Sequence, residues 1–251
     1  MQTIDTSSHW IRRTVSWVVF FAAILLAWVL MFMSARMSGV DWIGRPVGPN
    51  MMPMTAFGAL FPMWSIMMAA MMLPTMVPTL KAYEDLIRSA NGSRAGWSAL
   101  LVGYMAIWIA GAAAISAVQV VLISIGWIDG LGIAQQKWFA ASLLVFAGAF
   151  QFSRTKEICH GVCHAPMTFF LGHWRPGAVG GLRMGLALGL FCVGCCWAFM
   201  MLGFVGGVMS LLWMGLATMF MVLEKLPQIG RYVTKPLGGV LIAAGLAVVV
   251  F

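Results

Sequence analysis

Three of the five cysteines in the chain fall within five residues, at Cys192, Cys195 and Cys196. Residues three and four positions apart share one face of a helix, so the three sulfurs would form a single patch. Counting ~1.5 Å per residue from Arg183, the patch lies ~13–20 Å below the interface, near the middle of a ~30 Å bilayer core. Soft ligands at this depth predict a soft-metal site or a redox-active thiol pair. Inert packing is the alternative, because buried cysteine behaves as a small apolar side chain.

Methionine is the second group of soft ligands, with 22 residues in the chain and a dense cluster within residues 57–80. Met67, Met71 and Met72 lie near the centre of this apolar stretch, level with the cysteine patch. Thioether and thiolate ligands together favour Cu(I). A methionine stripe also fits ordinary core or lipid-facing packing. If the two faces meet, we expect a shared Cys/Met site in the middle of the membrane.

A third group of ligands is the run Cys159-His160-Gly161-Val162-Cys163-His164. Three residues separate its cysteines, so it does not match the C-x-x-C-H signature of haem attachment. We expect Cys159, Cys163 and His164 to bind a metal, with zinc as one candidate, or to be an ordinary polar loop. Cys159 and Cys163 would lie at the membrane surface and Cys192 more than ~13 Å deep. This predicts two separate sites, unless the loop is re-entrant.

The elements that must position these ligands are membrane helices. The chain is 62% hydrophobic and 9% charged, with a mean hydropathy of +0.94, whereas soluble domains are about a quarter charged. We predict an all-α, polytopic transmembrane bundle forming a single domain, 1–251. Its seven predicted spans are 15–33, 57–80, 97–125, 134–152, 181–203, 205–224 and 237–251, and the polar Cys/His loop is 153–178.

The basic residues lie between the spans and therefore report topology rather than nucleic-acid binding. With a cytoplasmic N-terminus, twelve of the fifteen Lys and Arg residues are inside and only Arg36, Arg45 and Lys137 are outside. This distribution satisfies the positive-inside rule and predicts a multi-pass protein of the bacterial inner (plasma) membrane.

Two further patterns concern the packing of the spans. Gly181, Gly185 and Gly189 form a small-xxx-small repeat, which lets a neighbouring helix approach closely beside the cysteine face. Glu224 and Lys225 are expected to form an ion pair at the inner membrane surface. No acidic residue falls in the middle of a span, so a carboxylate proton relay lacks its parts.

Several short motifs occur together and in order. They are Met63-Trp64, Ala70-Met71-Met72-Leu73-Pro74, Cys159…Cys163-His164-Ala165-Pro166, Cys192-Val193-Gly194-Cys195-Cys196-Trp197 and Glu224-Lys225. Over residues 57–231 the chain resembles a bacterial domain-of-unknown-function family catalogued as predicted metal-binding integral membrane proteins. That family usually shows Arg after the second loop cysteine, where His164 stands here. The resemblance implies metal binding in the inner membrane and no established reaction.

These observations favour a membrane protein that handles Cu(I) or another soft metal, as a carrier, permease or metallocentre-assembly factor rather than an enzyme. Cys192, Cys195 and Cys196 would be its membrane ligands with Met67, Met71 and Met72. Its expected partners are the lipid bilayer and a metallochaperone or metalloenzyme. An oligomer is also compatible with the sequence. Two alternatives stay open: a membrane thiol–disulfide oxidoreductase using Cys192, Cys195 and Cys196, and a structural subunit of a larger complex.

Overall fold

The structure is a computed structural model that describes residues 3–47, 54–226 and 229–250, and over these residues it is built from helices without a strand. The helices are α1 (Thr3–Met37), α2 (Phe57–Met72), a 3-10 turn (Pro74–Met76), α3 (Val77–Ser89), α4 (Arg94–Ser124), α5 (Lys137–Phe150), α6 (Arg154–His164), α7 (Pro166–His173), α8 (Gly177–Met201), α9 (Gly203–Gly206), α10 (Leu211–Glu224) and α11 (Gly230–Val250). The predicted all-helical class is confirmed for this part of the chain.

Five helical segments among the described residues are long and apolar enough to cross a membrane. They are Trp10–Met37, Phe57–Ser89, Arg94–Ser124, Gly177–Gly206 and Tyr232–Val250. The apolar helices α5 and α10 are shorter, with 14 residues each, or about 21 Å at 1.5 Å per residue.

Proline and glycine explain where the helices depart from the predicted spans. The second apolar segment continues past Pro74 to Ser89, because Pro74 and Pro78 occupy first-turn positions, where a missing N–H costs little. The fourth apolar segment ends at Gly206, and Gly207 adopts a positive φ of 90°. Glycine reaches this conformation without steric cost, so the chain turns there and α10 begins only at Leu211.

The polar segment 153–178, predicted as a loop between two spans, is helical for most of its length and forms α6 and α7. Ser153 caps α6 by accepting a hydrogen bond from the Lys156 main-chain N–H at 3.1 Å, and Pro166 begins α7. Both are ordinary helix-start signals.

Polar contacts join the helix ends at two opposite sides of the structure. At one side, Glu84 in α3 binds Arg94 at 2.6 Å and Arg13 of α1 at 3.2 Å. At the other side, the Leu212 N–H donates to the Trp42 carbonyl at 3.0 Å, and the Ala134 N–H donates to the Phe204 carbonyl at 2.8 Å. Successive long helices therefore run in alternating directions between the two sides.

The glycine repeat on α8 packs against α4, as predicted. A Cβ placed at Gly181 would collide with the Gly96 carbonyl oxygen, and one at Gly185 would collide with the Leu100 carbonyl oxygen. The backbones of α4 and α8 thus touch, as small residues permit. This contact places Tyr104 of α4 beside the cysteines of α8.

Candidate thiol site between α6 and α8

Three thiols from two helices form a compact cluster. The Sγ atoms of Cys163 in α6 and of Cys192 and Cys195 in α8 all lie within 4.8 Å of one another. The expectation that the surface cysteines and the membrane cysteines form separate sites is therefore wrong for Cys163. Because α6 is helical and packs along α8, it carries Cys163 to the buried face of α8.

The other two cysteines border this cluster. The Sγ atoms of Cys195 and Cys196 are 3.2 Å apart, and the Cys195 thiol donates to the Cys192 carbonyl at 3.1 Å. Cys159 packs on Gly194, where an added Cβ would lie 2.9 Å from the Cys159 sulfur. All five cysteines are free thiols, and those on α8 are buried as predicted.

Two polar side chains, from α4 and from the end of α10, contact the sulfur of Cys192. The Lys225 ammonium donates to its sulfur at 2.9 Å, and the Tyr104 hydroxyl lies 3.0 Å from it. Lys225 also donates to the Thr75 hydroxyl at 3.0 Å. Lys225 is only 5% exposed, so its charge acts at short range in a medium of low polarity. An ammonium group so close to a sulfur favours its thiolate form, which is the form that binds metals.

A buried ion pair fixes α6 to α10. The Lys156 ammonium contacts the Glu224 carboxylate at 2.8 Å and donates to the Cys195 carbonyl at 2.9 Å, and both charged side chains are 2% exposed. Burial alone would lower the pKa of Lys156, but the charges of Glu224, Cys196 and Cys195 together outweigh it and raise the pKa above its ordinary value. The expected Glu224–Lys225 pair is thus wrong: Glu224 binds Lys156, while Lys225 binds Cys192.

The rings of His160 and His164 in α6 lie side by side, with centroids 4.1 Å apart and planes tilted by 54°, and both Nε2 atoms bond to the main-chain carbonyl of Glu224. Burial lowers the pKa of His160 to about 4, so this ring is neutral at neutral pH. His164, predicted as a ligand, thus contacts the end of α10 through this carbonyl. His173 of α7 stacks on Phe169.

Hydrogen bonding holds the proton on the thiol of α6. A hydrogen bond to Cys192 raises the pKa of Cys163 to about 12. Cys163 therefore keeps its proton at neutral pH, and a metal ion bound there would have to release it, because metal ligation requires the thiolate.

The predicted methionine partners lie in the same hydrophobic core as the thiols. Met67, Met71 and Met72 are almost fully buried. The Met72 carbonyl accepts a hydrogen bond from Thr75 at 2.7 Å, and Thr75 in turn bonds to Lys225. The end of α2 is thereby connected to Cys192 through two side chains. The role of the three methionines as ligands stays a prediction.

Sequence analysis missed the polar residues around the sulfurs, which are Thr75, Tyr104, Lys156 and Lys225. Lys225 belongs to the Glu224-Lys225 motif, for which the sequence predicted an ion pair, but its partner in the structure is Cys192. Lys156 precedes Cys159 by three residues and so shares a face of α6 with it. This spacing could have predicted a lysine close to the cysteines. Thr75 and Tyr104 carry no local signal, because only tertiary packing brings them to Cys192.

Fold and site together describe a helical protein with apolar segments of membrane-spanning length and a buried three-thiol cluster suited to a soft metal. Residues 61–248 match the PpoB2 family, described as a copper chaperone. The match covers 188 of the 251 residues, and the chain belongs to this family. Among curated proteins and solved structures, none matches the chain. The family agrees with the metal-related function that the sequence predicted, and its description is compatible with copper.

Proposed function

We propose that the protein is a membrane copper chaperone that holds Cu(I) on Cys163, Cys192 and Cys195 and passes it to a partner metalloprotein. The proximity of these three sulfurs, all within 4.8 Å of one another, carries the proposal. Thiolates are the ligands that Cu(I) prefers, and three of them from two helices can close around a single ion. Membership of a copper chaperone family supports the same cargo.

The charges around the sulfurs fit a thiolate site. Three thiolates and one Cu(I) ion carry a net charge of −2, which is costly to bury without a counter-ion. The Lys156 charge is matched by Glu224, whereas the Lys225 ammonium faces Cys192. We infer that Lys225 offsets part of the thiolate charge while the metal is bound.

The remaining sulfurs offer exchange partners. Cys196 lies 3.2 Å from Cys195, and Cys159 is one helical turn from Cys163, with His164 adjacent. We propose that Cys196 receives the metal during exchange and that Cys159, Cys163 and His164 form the route to the cytoplasmic partner. Met71 and Met72 would supply thioethers from α2, whereas Met67, the third methionine predicted as a partner, lines a separate cavity. Zinc is less well supported, because the compact cluster offers three ligands and structural zinc sites use four.

We propose that the chain crosses the bacterial inner membrane seven times with its N-terminus in the cytoplasm. Five apolar segments have sufficient length, and α5 and α10 would be the two short crossings. The alternating directions of the helices and the placement of basic residues support this topology. The thiol site would then open toward the cytoplasm, since Lys225 and α6 lie at the end that carries Arg94.

The test is metal analysis of protein purified in detergent under reducing conditions and loaded with Cu(I). We expect close to one equivalent of copper to depend on the cluster, and Cys163→Ser, Cys192→Ser and Cys195→Ser each to remove it. Cys159→Ser is the matched control and should retain the metal. Equal copper content in wild type and the three cluster variants would overturn the proposal. A stable disulfide in the metal-free protein would instead favour the thiol–disulfide oxidoreductase.

A further inference from the structure

A small cavity lies beside the contact between Trp42 and Leu212, between α1, α2 and the turn that precedes α10. Its volume is about 20 Å³, room for one water-sized sphere. Ten described residues line it, and four of them are methionines: Met31, Met63, Met67 and Met209. Methionine makes up 22 of 251 residues in the whole chain, so the lining is strongly enriched in thioether sulfur.

The four methionines reach the cavity from three separate parts of the fold. Met31 comes from α1, Met63 and Met67 are successive turns of α2, and Met209 lies in the non-helical segment between α9 and α10. Gly207, with its φ of 90°, makes the turn that brings this segment to α1 and α2. Met31, Met63 and Met67 are all less than 10% exposed.

The chemistry of the lining suits a soft cation better than water. Ser34 is the only described lining residue with a polar side chain, and a buried water needs two to four polar partners. Thioethers are weak hydrogen-bond acceptors but good ligands for Cu(I). They are neutral and do not pair into disulfides, so a thioether site differs from the thiol cluster in charge and in redox chemistry.

We propose that Met31, Met63, Met67 and Met209 form a second Cu(I) site, made only of thioethers. The choice of copper rests on the proposed function. Met67 and Thr75 are eight residues apart on the same helical segment, or about 12 Å, and Thr75 bonds to Lys225 at the thiol cluster. One helical segment therefore connects the cavity to the thiol cluster, and neutral ligands make the methionine site the weaker of the two.

The deciding experiment is Cu(I) titration of the full-length protein in detergent against a Cu(I)-selective chelator. In a variant with all five cysteines replaced by serine, we expect about one Cu(I) per chain, with X-ray absorption showing sulfur ligands. Adding Met31→Leu, Met63→Leu, Met67→Leu and Met209→Leu should remove it. The matched control replaces four buried methionines outside the cavity, Met68, Met76, Met214 and Met221, and should leave binding unchanged.

A second measurement covers the case in which the serine variant does not fold. Native mass spectrometry of wild type should then show about two Cu(I) per chain, falling to about one in the cavity variant. The proposal is overturned if the cavity variant and the control variant bind equal amounts of copper. If wild-type protein binds no copper that depends on its cysteines, the proposed function is contradicted instead. The failure of the methionine site and the failure of the proposed function are therefore distinguishable.

Discussion

At the scale of single residues, the thiol site depends on two buried lysines with different roles. Lys156 has a carboxylate partner and connects α6 to α8 and α10. Lys225 has a sulfur as its partner and therefore acts directly on the ligand set. A buried charge without a partner is strongly destabilising. Changes at the Lys225 site and at the Lys156 site are therefore expected to have different effects.

Replacing Lys225 by Met should weaken Cu(I) binding without removing any ligand. A hydrogen bond to a charged group contributes about 1.5–3 kcal/mol, so the dissociation constant should rise at least about tenfold. Competition with a Cu(I)-selective chelator measures it. Lys81→Met, at an exposed position, is the control and should bind like wild type. Equal affinity in both variants would show that Lys225 has no electrostatic role.

Replacing Glu224 should lower the stability of the fold more than it changes the arrangement of the sulfurs. Glu224→Ala leaves Lys156 buried and unpaired, which costs about 3–5 kcal/mol, and Thr234 also loses its bond to this carboxylate. We expect a clear drop in the thermal midpoint in detergent. The exposed Glu157→Ala should show little change. Because an apolar pair can replace a buried ion pair, Lys156→Leu combined with Glu224→Leu should recover much of the loss.

At the scale of elements, the site is the meeting of α4, α6, α8 and the end of α10. The contact between α4 and α8 places Tyr104, and the contact between α6 and α8 places Cys163. Glycine makes both contacts close, at Gly185 for α4 and at Gly194 for α6. The geometry of the sulfurs therefore depends on helix packing as much as on the cysteines.

Gly185→Ala should separate α4 from α8, because its Cβ would collide with the Leu100 carbonyl oxygen. A backbone atom cannot give way as a side chain can, so we expect a lower thermal midpoint and reduced copper content. Gly111→Ala on α4 is the control, since nothing lies within 4 Å of its Cβ. Wild-type behaviour of the Gly185 variant would mean that the two backbones are not in contact.

Sequence patterns predicted the features that depend on neighbouring residues along the chain. The apolar segments, the buried face of Cys192, Cys195 and Cys196 and the glycine contact of α8 all follow from helical spacing. The position of Cys163 could not be predicted in this way. Its depth depends on α6 folding back onto α8, and the burial of Lys156 is tolerated only because Glu224, far along the chain, lies opposite.

At the scale of the whole molecule, the two groups of sulfurs lie toward different ends. The thiols and α6 lie toward the end that carries Arg94 (the thiol end), and the methionines of the cavity lie toward the end that carries Trp42 (the thioether end). Thiols persist in reducing compartments and oxidise outside them. The proposed topology would turn the thiol end toward the reducing cytoplasm, so the orientation of the chain is a test of the proposed function.

Cysteine labelling in a Cys-less variant tests this topology. Trp42→Cys and Gln135→Cys lie in exposed loops at the thioether end, and Asn91→Cys and Arg175→Cys are exposed at the opposite end. We expect an impermeant maleimide to label the first pair in intact spheroplasts and the second pair only after lysis, because the positive-inside rule places Arg94 and its neighbours in the cytoplasm. Full labelling of all four after lysis controls for accessibility. The reverse pattern would place the thiol end outside, and labelling that divides either pair would exclude the seven crossings.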